Sequence, residues 1–135
     1  MNAERGNATL ELVTITVPFL AVVMFVVLAG RMVAAQGTLD GAARAGARAA
    51  AAARAGTEAD EAARRAVAAD VEGSKVGCER LEVDVDTSDF RAGGTVRVAL
   101  TCDLAVADLS PLPLPGTRTV TSRSIAVVDV HRGMQ

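Results

Sequence analysis

The spacing of hydrophobic and polar positions changes twice along this chain. From Leu12 to Ala29 the apolar residues are nearly continuous: Val13, Ile15, Val17, Phe19, Leu20, Val22, Val23, Phe25, Val26, Val27 and Leu28 leave no polar helical face. Glu11 is the only charged side chain between Arg5 and Arg31. About 25 helical residues rising ~1.5 Å each cross a hydrocarbon layer of ~30 Å, so the run is long enough to span a membrane. A helix lying on a soluble core would carry a polar stripe, and this one does not. Pro18 removes one backbone donor and crowds the carbonyl of Thr14. Inside a membrane helix that predicts a kink rather than an end, with the hydroxyls of Thr14 and Thr16 returned to loosened backbone groups.

From Arg31 to about Ala55 the sequence is an alanine-rich helix former broken only by Gly37, Gly41 and Gly46. At 100° per residue, Arg44, Arg48, Arg54, Glu58, Glu61 and Arg65 gather on one side. Leu39, Ala42, Gly46, Ala49, Ala53, Val67 and Val71 fall on the other. Gly37 with Gly41, then Ala42 with Gly46 and Ala50, repeat a small residue every four positions and let another backbone come close. That backbone can belong to the chain's own sheet or to a second subunit. Gly56 followed by Thr57-Glu58-Ala59-Asp60 predicts a stop and a fresh start, with Thr57 as N-cap and Asp60 at the third helical position. The short second helix runs to about Val71, and Gly73 and Gly77 open an irregular connection.

Beyond it the period becomes two. Leu81, Val83 and Val85 mark one strand face and Val96, Val98, Leu100 and Cys102 another, with Ser88 to Gly94 as the loop of a hairpin. Matching the apolar faces pairs Val83 with Val98 and Val85 with Val96, which sets Glu79 opposite Cys102. Ser110-Pro111-Leu112-Pro113-Leu114-Pro115-Gly116 is a stiff surface loop, because its prolines cannot serve as ladder donors. Arg118 to Val130 is a third strand, apolar on both faces at Ile125, Ala126, Val127, Val128 and Val130, and its end is expected to be buried. The tail from His131 to Gln135 should fray. The fold class is therefore α+β: a long N-terminal transmembrane helix, a short second helix and a head with a three-stranded antiparallel sheet.

Composition removes most chemistries. The 135 residues carry a net charge of −2, and Lys75 is the one lysine among 14 basic side chains, so no basic surface points to nucleic acid. With no Trp, no Tyr and three Phe there is no aromatic platform for bases or sugars. His131 is the only histidine. Neither a histidine acid/base pair nor a histidine metal cluster can be assembled, and no catalytic residue, metal site or cofactor is expected. Asp84 and Asp86 lie on the wet face of a strand, and with Asp89 they lack the closing glutamate of a calcium loop. Gly93-Gly94 is turn chemistry rather than a phosphate loop. The expectation is a chain that is not an enzyme.

Glu11 needs a reason to enter the bilayer edge, where an acid costs up to about 3 kcal/mol on insertion scales. It can sit in the first helical turn, where the dipole and headgroup water tolerate it. A more specific reading comes from Glu4-Arg5-Gly6-Asn7-Ala8-Thr9-Leu10-Glu11-Leu12-Val13, from Pro18 in the apolar run, and from Ala42-Ala43-Arg44-Ala45-Gly46-Ala47-Arg48-Ala49. On these residues the first ~50 positions resemble the type IV pilins and pseudopilins, and among them the TadE-like proteins of tight-adherence (Tad) pilus systems.

The resemblance implies a leader cut by a prepilin peptidase between Gly6 and Asn7, leaving Glu11 as the fifth residue of the mature chain. It implies that Glu11 pairs with the freed amine of a neighbouring subunit, a register device because a buried pair is costly to break. It implies a minor pilin or pseudopilin partnered by other pilin or pseudopilin subunits, the Tad secretion machinery and the membrane, single-pass, with the C-terminal head outside the cytoplasm. The early Pro18 and the absence of aromatic surface on the head suit a minor or priming subunit better than a bulk one.

An extracytoplasmic head would also let Cys78 and Cys102 form a disulfide. With Glu79 opposite Cys102, Cys78 has to leave the ladder, which Gly77 permits, and the Cα atoms must come within about 7 Å.

The expected organisation is a leader at 1–6, a transmembrane and assembly helix at 7–36, alanine-rich helices at 37–72 and a small antiparallel β head at 73–135. Two other readings compete. One is an unprocessed single-span envelope protein whose head binds a partner; the other is a small module released after Ala35. The second has the wrong shape, since the apolar run is longer than a secretory signal core and Glu4 stands beside the only leader arginine.

Overall fold

The computed structural model describes residues 3–131, with side chains from Leu10 onward. Most of the tail expected to fray, 132–135, lies outside the described residues. The elements are α1 (Ala3–Ala52), α2 (Gly56–Glu72), β1 (Cys78–Asp86), β2 (Thr95–Ala105), α3 (Val106–Leu109) and β3 (Thr117–Val127). The strands form one antiparallel sheet in the order β1-β2-β3. This is the α+β architecture expected from the sequence: a long helix, a short helix and a three-stranded sheet.

α1 continues through Pro18 without interruption. Both threonines of this segment turn their hydroxyls back on the helix. Thr14 Oγ1 donates to the carbonyl of Leu10 at 2.8 Å and Thr16 Oγ1 to that of Leu12 at 2.6 Å. Each hydroxyl thus reaches back one turn, to a carbonyl ahead of its own position.

The break between α1 and α2 falls where Gly56 predicts it, but the cap does not. Ala55 is the N-cap, in extended conformation, and no side chain caps the helix there. Glu58, not Asp60, stands at the third helical position, and its Oε2 accepts the backbone N–H of Arg54 at 3.3 Å. Asp60 instead accepts from Arg64 one turn on, at 2.9 Å. The fresh start lies two residues earlier than Thr57 suggests, because Gly56 itself enters the helix.

The three residues between α1 and α2 fold the helices back on one another, and both lie on one face of the sheet. The core unites Ala35, Leu39, Ala42, Ala43, Ala47 and Ala50 of α1 with Ala59, Ala63, Val67 and Val71 of α2. From β2 come Val96, Val98, Leu100, Cys102 and Leu104, with Val120 from β3 and Val128 just after it. Alanine on the helices brings the backbones close to the larger strand side chains. β2 alternates cleanly, each of those five residues pointing inward between half-buried or exposed neighbours.

The hairpin register differs from the expected one by two positions: Val83 pairs with Leu100, Val85 with Val98 and Leu81 with Cys102. A shift of two keeps every side chain on its face, so the hydrophobic pattern alone could not choose between the two registers. The connecting loop chooses. Asp86 Oδ1 accepts the Ser88 N–H at 3.0 Å and Asp89 Oδ2 accepts the Thr95 N–H at 3.3 Å. These bonds hold a longer excursion, so Thr95 and Val96 pair only with β3.

The end of β3 is also corrected. Val128 is buried, but Ile125 is 62% and Val127 68% exposed. The sheet carries helices on one face only, so the other side of this apolar segment stays open.

Candidate functional site

Two regions of the chain stand out by chemistry: the uncovered half of α1 and the disulfide-bonded end of the head. In the first, Leu12, Val13, Ile15, Val17, Phe19, Leu20, Val22, Phe25 and Val26 are all more than half exposed. The head begins only at Leu28 and Met32, which pack on the rim of the core, and Ala35, which is inside it. A helical segment this apolar, with nothing of its own chain against it, is in its proper environment only among lipids or other helices. Among the described residues α1 is the one helix long and apolar enough to cross a membrane. A membrane anchor is the use that fits.

Glu11 lies in α1 with its side chain exposed and, among the described residues, has no ion pair. It is about 36 Å from Ala35, at ~1.5 Å for each intervening residue. The head can offer it no counter-charge. Gly6 and Asn7 lie in the helical backbone ahead of it, and Pro18 follows it by two turns. Glu11 and Pro18 therefore share one free helical segment with the Gly6–Asn7 bond, while the two cysteines sit in the head.

Cys78 and Cys102 are joined by a disulfide with a Cα–Cα distance of 5.5 Å. β1 sends its odd-numbered residues inward, which would leave Cys78 on the wet face of a regular ladder. A bulge solves this: Cys78 pairs with Leu104 and Arg80 with Asp103, leaving Glu79 as the extra residue. The bulge turns Cys78 to the core side, beside Cys102. The sequence reading that Cys78 must leave the regular ladder is thus met by a bulge at Glu79.

Among the described residues no group of histidine, cysteine or acidic side chains could hold a metal ion. Asp86 and Asp89, beside the hairpin loop, have partners within the chain. Ser88 and Arg97 hold the Asp86 carboxyl below its ordinary range. Arg91 does the same for Asp89 and approaches to 2.6 Å.

One polar junction was not legible in the sequence. Asp40 Oδ1 accepts the Ser122 hydroxyl at 2.5 Å and the Gln36 amide at 3.1 Å, while the same amide nitrogen donates to the Thr121 carbonyl at 3.1 Å. These bonds tie α1 to β3. Donation from Ser122, then from Gln36, lowers the Asp40 pKa below its ordinary value. Asp40 and Gln36 lie one turn apart on α1, but only the packing of helix on sheet brings Ser122 to them.

The chain is thus a helix-anchored α+β protein whose apolar helix stands free of its head. Residues 6–48 match the family model described as TadE-like protein, so the match begins at Gly6 and ends inside the head's first helix. The resemblance stated from the sequence is borne out by that match, which covers the residues that carry it and not the rest of the chain. No curated protein and no solved structure matches the chain.

Proposed function

We propose that this protein is a TadE-like minor pilin or pseudopilin of a Tad-type pilus assembly and secretion machine, cut after Gly6 by a prepilin peptidase. The observation that carries the reading is a family match starting at Gly6 together with an apolar helix that its own head leaves bare. The bare helix serves first as a membrane anchor. In the assembled machine it packs among the helices of other pilin or pseudopilin subunits.

Glu11 then has its partner in the amine that cleavage frees on a neighbouring chain. A carboxylate about 25 Å beyond Leu28, where its own head begins, needs a partner from outside it. A paired buried charge disfavours wrong registers, since any slip leaves both charges unpaired. Pro18 provides a bend near the start of the helix, and the extracytoplasmic head carries the contacts that distinguish this subunit. The head's disulfide suits an oxidising compartment.

The test is the mass of the mature chain from cells with and without a prepilin peptidase. The expected product begins at Asn7 only when the peptidase is present, and Glu11→Gln is expected to be processed and inserted but lost from the assembled complex. A chain that keeps Met1 in cells able to process it would instead be an unprocessed anchored envelope protein.

A further inference from the structure

The orientation of the head on its helix brings one loop down to the level of the membrane. β3 runs alongside α1. Thr121 is level with Gln36 through the 3.1 Å hydrogen bond between them. Farther along, Val127 shares a cleft with Ala51 and Ala52. From Thr121 to Val127 a strand advances about 20 Å and from Gln36 to Ala51 a helix advances about 22 Å, so the two elements run nearly parallel. Traced backwards, Thr117 lies about 13 Å below Thr121, next to Arg118, whose partner Leu104 shares a cleft with Arg31, Ala34 and Ala35. That is the end of the apolar run.

The Ser110–Gly116 loop precedes Thr117 and so reaches the same level. It carries two leucines that the head does not cover, Leu112 at 53% and Leu114 at 43% exposure. The loop holds its own shape. Ser110 Oγ accepts the Leu112 N–H at 3.2 Å, Leu114 N–H donates to the Leu112 carbonyl at 2.8 Å, and the Gly116 carbonyl accepts the Val106 N–H at 2.9 Å. Gly116, with φ at 125°, makes the turn back into β3. Three prolines remove much of the freedom that insertion would otherwise cost. Around it stand exposed cations at the same end of the head: Arg31, Lys75 and Arg118. Arg31 and Lys75 line a cleft of about 450 Å³ with Asp108 and Leu109.

We propose that this loop is a second membrane contact, in which Leu112 and Leu114 enter the bilayer interface beside the anchor while Arg31, Lys75 and Arg118 meet the phosphates of lipid headgroups. The proposal rests on the anchor reading. Two attachment points, the helix and the loop, fix the tilt of the head and its rotation about α1, so the subunit waits in the membrane with one face turned outward. Basic side chains reaching to headgroups with apolar neighbours in the interface form a familiar pairing of forces at membrane surfaces.

The protein contains no tryptophan, so single-tryptophan variants report without background. The full chain is reconstituted into vesicles of phosphatidylcholine and phosphatidylglycerol, with and without brominated acyl chains. Phe19→Trp reports on the anchor, Leu112→Trp and Leu114→Trp on the loop, and Val127→Trp on the far end of the sheet. Brominated lipid is expected to quench the anchor and both loop positions severalfold and to leave Val127→Trp unchanged. If Phe19→Trp is quenched while both loop positions behave like Val127→Trp, the loop does not touch lipid and the proposal is overturned with the anchor intact. If Phe19→Trp is itself unquenched, the anchor reading fails and the proposal falls with it.

Discussion

Gly46 on α1 and Val67 on α2 meet where no side chain fits between them. A Cβ on Gly46 would stand 2.7 Å from Val67 Cγ2 and 3.4 Å from the Ala63 carbonyl oxygen. Gly41, by contrast, has open space around its missing Cβ. The two glycines, so alike in sequence, should respond oppositely. Gly46→Val is expected to destabilise the head by about 1–3 kcal/mol, because Val67 is branched at Cβ and has little freedom to turn away. Gly41→Ala should stabilise it by up to about 1 kcal/mol through helix propensity. Urea unfolding in detergent, followed by circular dichroism, measures both. Equal effects would mean the helices do not pack through Gly46.

Leu39 is fully buried and is one of the few large side chains in a core whose helical half is mostly alanine. Leu39→Ala is expected to cost about 2–5 kcal/mol, since small neighbours fixed on helices cannot collapse into the space. A head of this size has little stability in reserve. Proteolysis at increasing temperature should show the variant's head degraded well below the wild-type midpoint while the anchor fragment survives.

The Cys78–Cys102 bond joins residues 24 apart in the chain. Loop-closure entropy predicts about 3 kcal/mol of stabilisation from it. Cys102 is fully buried and its bond holds the start of β1, with the bulge at Glu79, against the middle strand. Reduction, or the pair Cys78→Ser with Cys102→Ser, should lower the urea midpoint and make the first turn of β1 exchange its amide hydrogens sooner than β2. Unchanged exchange at β1 would show that the strand is held by its ladder alone.

How far the sequence carries depends on whether a feature is set by local pattern or by contact between distant parts. The apolar run, the break at Gly56 and the period-two strands are local, and each appears within a few residues of its expected place. Pairing Val83 with Leu100 rather than Val98 is not local: both registers bury the same faces, and the Asp86 and Asp89 side chains in the loop decide between them. The single turn α3 has no periodic signal, because four residues are too few to show one. The Asp40–Ser122 bond joins residues 82 apart. Glu11 is the reverse case, conspicuous in sequence and without a partner among the described residues of its own chain.

That Asp40 junction makes a specific pH prediction. Its carboxyl accepts from Ser122 and Gln36 and feels the charge of Arg44, and together these outweigh desolvation and lower its pKa from the ordinary 3.8. A carboxyl depressed in the folded state favours folding at pH values above its unfolded pKa, and that contribution is lost as pH falls through 3.8 towards the lower folded value. Asp86 and Asp89 are depressed in the same direction and add to the slope. At neutral pH, Asp40→Ala should cost about 1–2 kcal/mol by leaving the buried Ser122 hydroxyl without its acceptor. Asp40→Asn keeps an oxygen acceptor but cannot ionise, so its urea midpoint should fall less steeply than wild type between about pH 5 and pH 2. Ser122→Ala should flatten the same slope, because it removes the donor with the largest effect on Asp40. If neither variant changes the slope while Asp89→Asn does, the acid sensitivity of the head resides in the hairpin loop and not where α1 meets β3.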